Sequence, residues 1–166
     1  MTYPSFVVQD TRFLADIQNG WVFHAAVYSE TVADDGSLKL FIQTNNEGEG
    51  IPHTARFRIN AGGLSELRVY EAASIEAGQT GVSWFNYNRN SANTTVSTLS
   101  TVTSFSNGTV FFKALIGNAS VGGSGIGGNQ TQEFILADSS HYCFELTNRN
   151  GNAQPLFLAL DYVDRD

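Results

Sequence analysis

Apolar and polar residues alternate with a period of two along most of the chain, the repeat of a strand with one buried face. The cleanest instance sets Ala55, Phe57 and Ile59 against Arg56 and Arg58. Earlier, Trp21, Phe23, Ala25 and Val27 share one side of a run, with Val22, His24, Ala26 and Tyr28 on the other. Leu38, Leu40 and Ile42 oppose Lys39 and Gln43, and Leu67 and Val69 oppose Glu66 and Arg68. The repeat returns through Val110, Phe112, Ala114 and Ile116, through Tyr142, Phe144 and Leu146, and through Leu156, Leu158, Leu160 and Tyr162. Turn residues separate these runs: Asp34-Asp35-Gly36, Ala61-Gly62-Gly63, Asn107-Gly108 and Asn150-Gly151-Asn152. Of these, Asn107-Gly108 carries the strongest hairpin signal. The pattern predicts an all-β, antiparallel fold of about eight to nine strands with little helix, a two-sheet sandwich or a barrel.

Four segments depart from the alternation. EAASIEAG, residues 71–78, is the best candidate for a short helix, and residues 11–18 for a turn of helix before Asn19-Gly20. The first residues, MTYPSFVVQ, are apolar, and such a segment must be tied down on its own sheet or on a neighbour's. Residues 1–18 are therefore read as an N-terminal arm or first strand, with Tyr3, Phe6, Val7 and Val8 as its contact residues, and 19–166 as a single β-sandwich domain. The glycine-rich stretch 118–130 reads as a surface loop.

Composition narrows the role. An apolar share of 42%, with 12 Phe and 6 Tyr, supplies a sizeable core and argues against disorder. The net charge of −7, with scattered basic residues, argues against nucleic-acid binding. No apolar run is long enough to span a membrane, and no signal-peptide pattern opens the chain. One cysteine, Cys143, rules out an internal disulfide and fits synthesis in a reducing cytoplasm. Asn-x-Ser/Thr triplets at Asn93, Asn107, Asn118 and Asn129 follow from a composition rich in those residues.

Catalytic chemistry finds little purchase. His24, His53 and His141 sit in separate runs without metal-ligand spacing, so a hydrolase or metal site would require them to converge in space. Cys143, between Tyr142 and Phe144, reads as a small buried residue. Asn45, Asn46, Glu47 and Glu49 offer loop oxygens of the kind calcium accepts but do not match the twelve-residue EF-hand pattern, and GGSGIGG lacks the context of a phosphate cradle. No cofactor and no enzymatic activity are expected. The one candidate ligand or interface cluster is Trp84, Tyr87 and Arg89, within FNYNRNSANTTVST, where aromatics stand beside amides and a guanidinium.

Three motifs carry a resemblance: Leu67 to Glu71 (L-x-V-Y-E), Tyr87 to Ser91 within N-x-N-R-N-S, and Thr147 to Arg149 (T-N-R) between the closing strands. Over roughly the C-terminal two-thirds the chain resembles a family of tailed-bacteriophage jelly-roll capsid decoration, or cement, proteins. The resemblance implies a minor capsid protein on the outer surface of the virion, made in the host bacterial cytoplasm. Its partners would be the major capsid protein and sister copies in a homo-oligomer, a dimer or trimer. It implies no nucleic-acid or membrane contact. The alternative is a carbohydrate- or receptor-binding sandwich of a phage fibre, resting on Trp84, Tyr87 and Arg89.

Overall fold

The computed structural model describes residues 5–45, 53–117 and 133–165, with side chains from residue 12 onward. One helix, α1 (Ser5–Gln18), precedes β1 (Val22–Val32), β2 (Ser37–Gln43), β3 (His53–Ala61) and β4 (Ser65–Ala77). Three short strands follow: β5 (Thr80–Gly81), β6 (Phe85–Asn86) and β7 (Thr98–Thr101). Then come β8 (Ser104–Ile116), β9 (Glu133–Leu136), β10 (His141–Asn148) and β11 (Gln154–Val163).

The strands form a five-stranded sheet, β6-β1-β11-β3-β9, and a six-stranded sheet, β5-β7-β2-β10-β4-β8. All pairings are antiparallel, and β1 pairs with β11, β2 with β10, β3 with β9 and β4 with β8. That is one long ribbon, folded so that its successive rungs fall in alternate sheets, which is the jelly-roll arrangement. The turns at Asp34-Asp35-Gly36, Ala61-Gly62-Gly63 and Asn150-Gly151-Asn152 therefore carry the chain between sheets. The alternation expected from sequence sets the inner faces. Leu40, Ile42, Leu67, Val69, Phe144, Leu146, Leu158, Leu160 and Tyr162 are all buried between the sheets.

Three expectations are corrected. Residues 71–78 are not helical, since β4 runs through them to Ala77, paired with β8. Asn107-Gly108 is not a hairpin turn. Both residues lie inside β8 with positive φ, 56° and 88°, opposite Ala72 at 57°. This irregularity bends the far half of the β4–β8 hairpin over the outer face of its own sheet, where Ala73 and Val102 bury Phe41 and Cys143. A further register shift makes Phe112 the partner of Val69 but Val110 that of Tyr70. The extra residue, Phe111, reverses the facing of the strand, so Val110 does not share the inner face with Phe112.

The third correction concerns the first-strand reading of the N-terminal segment, which is a helix over Ser5–Gln18; the turn of helix expected over 11–18 is present and begins earlier. Phe6, Val7 and Val8 lie within it and Tyr3 lies outside the described residues. Phe13 and Ile17, four apart, share one face with buried Asp16, the spacing of a helix packed on one side. Its end is closed by Gly20 at φ 76°, with Gly20 N–H donating to Ile17 O and Trp21 N–H to Asp16 O, each at 3.0 Å. This six-to-one and five-to-two pair is the glycine cap that stops a helix. The helix docks on the outer face of the five-stranded sheet through the Arg165–Asp16 ion pair at 2.7 Å and the Arg56 guanidinium 4.1 Å over the Phe13 ring. The glycine-rich stretch 118–130 and the acidic loop from Asn46 to Glu49 lie outside the described residues.

Candidate functional site

The segment 80–101 closes one side of the sandwich. From β4 it runs along the edge of the six-stranded sheet as β5, crosses to the edge of the other sheet as β6, and returns as β7 beside β2. Its asparagines serve this path. Asn86 Nδ2 donates to Gly20 O and Asn93 O, Asn88 Nδ2 to Gln18 O, and Asn93 Nδ2 to Asn19 O, fastening the segment to the end of α1. Asn86 and Asn88 also accept from the backbone N–H two residues on, making Asx turns.

The three residues singled out as a ligand cluster are not brought together as one surface. Trp84 points inward, stacked on Tyr162 with centroids 5.3 Å apart, and its Nε1–H donates to Ser97 O at 2.9 Å. Tyr87 crosses the outer face of the five-stranded sheet. Arg89 is exposed, 5.9 Å over the exposed Phe85 ring.

Tyr87 leads to the densest polar group on that face. His24 of β1, Asp161 of β11 and Arg58 of β3 meet beneath it. Asp161 Oδ1 accepts from His24 Nδ1 at 2.8 Å, from Arg58 at 3.0 Å and from the Tyr87 hydroxyl at 3.0 Å, while Arg58 also donates to that hydroxyl at 2.9 Å. An ionised carboxylate only accepts, so the His24 proton sits on Nδ1, and the 3.3 Å approach of Arg58 to that nitrogen is two donors crowding one oxygen. Burial, and then the charge of Asp161, push the Tyr87 phenol up, so it remains a proton donor at neutral pH. Neither Asp161 nor Arg58 stands in a motif that marks it in the sequence. The available signal was a lone carboxylate within the apolar run LALDYV, where an acid needs partners.

A second group lies inside the sandwich. His53, fully buried, has Nε2 3.0 Å from Asn45 O and 3.1 Å from Asp138 Oδ1. A carbonyl only accepts, so Nε2 carries the proton and Nδ1 accepts from Tyr162 Oη at 2.5 Å, which is 2.8 Å from Ser97 Oγ. Thr95 Oγ1 donates to Asp164 Oδ2, whose other oxygen lies 3.5 Å from His53 Nδ1. This chain of bonds ties β3, β11 and the returning arm of 80–101 together.

A third group decorates the outer face of the six-stranded sheet. Glu66, almost completely buried, is ringed by Arg68 at 2.6 Å, Lys113 at 2.9 Å and Arg149 at 3.5 Å, and Arg149 also pairs with Asp35. The Lys113 bond, helped by the charges of Arg68 and Arg149, holds the Glu66 carboxyl below its ordinary range against the opposing effect of burial.

The histidines do not converge. His24 and His141 face outward from opposite sheets, with His141 5.6 Å from the Phe41 ring, and His53 lies between the sheets. Cys143 is buried and its thiol is pushed up to about 12, chiefly by burial, which makes it inert as a nucleophile at neutral pH. Among the described residues no group of three His, Cys, Asp or Glu is placed to hold a metal ion, and no helix is long and apolar enough to cross a membrane. The chain matches no family model, no curated protein and no solved structure.

Proposed function

We propose that the chain is a virion structural protein that decorates the outside of a tailed-phage head and stabilises contacts between major capsid subunits, acting by binding and not by turnover. The observation that carries this reading is a jelly-roll body with a long edge strand, β8, that exposes apolar side chains. Jelly rolls serve as capsid and lectin domains. The motifs that resemble the decoration family sit at framework positions: Leu67 to Glu71 in β4, between β10 and β8, Tyr87 to Ser91 in the side closure, and Thr147 to Arg149 where β10 ends.

Strand β8 is the edge of the six-stranded sheet, 13 residues long, and Val110, Phe111 and Leu115 on it are exposed at 44%, 42% and 68%. An exposed edge offers main-chain bonds to a neighbouring strand, and apolar side chains there add contact area. This edge, in place of an extended N-terminal arm, is the surface on which a capsid subunit or a sister copy would add. A sugar-binding role for the fold loses its principal stacking ring, because Trp84 packs on Tyr162.

Cryo-microscopy of the parent virion tests the proposal directly. Density for the chain is expected on the outer shell, and an outer shell without it ends the reading. The edge is tested by Val110→Lys with Leu115→Lys. The double variant should lose co-sedimentation with heads while its melting temperature stays within about 2 °C of the parent, since exposed substitutions cost little. Full retention of head binding would remove β8 as the contact.

A further inference from the structure

A cavity of about 150 Å³ lies between α1 and the outer face of the five-stranded sheet, on the far side of the sandwich from the face that carries Glu66. Its floor is a row of three side chains in register across β11, β3 and β9: Val163, Thr54 and Ile135. Around it stand Arg12 and Arg56 with Glu133, and Arg165 with Asp16. We propose that this cavity binds a carboxylate carried on a short apolar stem.

The charge balance favours an anion. Among the described residues that line it, three arginines face two carboxylates, a local excess of one positive charge in a chain whose net charge is −7. Two of the guanidinium groups are already fixed in place. Arg56 gives Nε and one terminal nitrogen to Glu133 Oε2, at 2.9 and 2.8 Å, and sits 4.1 Å over the Phe13 ring. Arg165 gives the same two nitrogens to Asp16, at 3.2 and 2.7 Å. Each bond set leaves the other terminal nitrogen for a further acceptor, and a guanidinium held in advance loses little freedom on binding. Planar forks of this kind suit a carboxylate.

The floor selects what the carboxylate is attached to. Val163 and Ile135 are apolar, and Ile135 is 75% exposed, so an aliphatic stem laid there removes apolar surface from water. Inorganic phosphate would meet the arginines but leave that surface wet. The volume is about that of five waters at roughly 30 Å³ each, well below the several hundred Å³ of a site for a drug-sized ligand. The cavity therefore takes an end group: a small free acid, or the terminal carboxylate of a peptide with an aliphatic last residue. This inference does not depend on the capsid reading.

The test is a methyl and amide NMR titration of the full chain with isovalerate, with acetyl-Gly-Gly-Leu as free acid and as C-terminal amide, and with inorganic phosphate. Isovalerate and the peptide acid should shift the Ile135 and Val163 methyls saturably, the amide should not, and phosphate should bind at least tenfold more weakly. Tighter binding of the peptide acid than of isovalerate identifies a chain end as the natural occupant, and the reverse order a free acid. Arg12→Ala and Ile135→Ser, both at exposed positions, should each weaken isovalerate about tenfold with the fold unchanged. The proposal is overturned by no saturable shift with either acid, by phosphate binding as tightly as isovalerate, or by full affinity in both variants.

Discussion

A carboxylate that collects three donors on one oxygen, as Asp161 does with His24, Arg58 and Tyr87, links three strands of one sheet and the segment that closes its edge. Asp161→Ala leaves those donors without their common acceptor. Hydrogen bonds to charged groups are worth about 1.5–3 kcal/mol each, but Arg58 is half exposed and regains water, so the expected loss is roughly 2 kcal/mol in urea denaturation at neutral pH. Glu66 gives a pH-dependent counterpart. Its folded carboxyl titrates below the ordinary 4.5, so the native state holds fewer protons than the unfolded chain in that range. The stability it contributes is complete above about 4.5 and is lost as pH falls through the folded value. Glu66→Gln should therefore cost roughly 1–2 kcal/mol at neutral pH, and the two stability curves should converge in acid. In the sequence Glu66 and Arg68 showed only as the outward members of an alternating run. That they share one cluster with Lys113 and Arg149 depends on the pairing of β4 with β8 and on the turn after β10.

Among the elements, the β4–β8 hairpin shows where local signals mislead. Asn-Gly favours positive φ at two successive residues, and Asn107 and Gly108 do adopt it, but inside a strand whose partner has Ala72 in the same left-handed region. The sequence specified the backbone conformation and left its use open, as turn or as bend. Gly108→Val should cost about 2 kcal/mol or more, because a β-branched residue at φ 88° is strained and its Cβ would meet Ala73 at 3.3 Å. Thermal denaturation of the variant checks this, and an unchanged melting temperature would show that the bend does not need glycine. EAASIEAG looked helical because alanine and glutamate favour helix. Eleven-residue and longer strands paired along their length outweigh that preference, as β4 does against β8. Helix α1 was legible at its end, where Asn19-Gly20 gives the cap, and not at its start, where an apolar run lacks a periodicity of its own.

At the scale of the whole molecule, the core is built from inward residues of both sheets. Leu158, fully buried at the middle of β11, lies in the central strand of its sheet between β1 and β3. Leu158→Ala should lower stability by about 2–5 kcal/mol, read as a shift in the urea midpoint without a change in slope. The jelly-roll order also explains why the outer faces differ. One carries α1 and the Asp161 group, while the other carries the folded-back hairpin over Phe41 and Cys143. Among the described residues, β8 beyond the bend, from Val110 to Leu115, is the edge of its sheet and exposes apolar side chains, which is why it carries the capsid proposal.

The period-two pattern by itself determined that the chain is all-β and antiparallel, a sandwich or a barrel, and which residues of most strands share a face, because the pleat ties facing to parity along the chain. That the strands form two packed sheets was decided by the tertiary structure. The pattern also determined where the chain turns between sheets, since Gly, Asn and Asp accept backbone conformations that few other residues do. It did not determine which strands pair or where parity breaks. One extra residue at Phe111 moved Val110 to the other face, and only the partner strand shows that residue to be extra. The polar groups were out of reach for the same reason. His24, Arg58, Tyr87 and Asp161 lie as far as 137 positions apart, and contact between them is a property of strand order, which local chemistry does not encode.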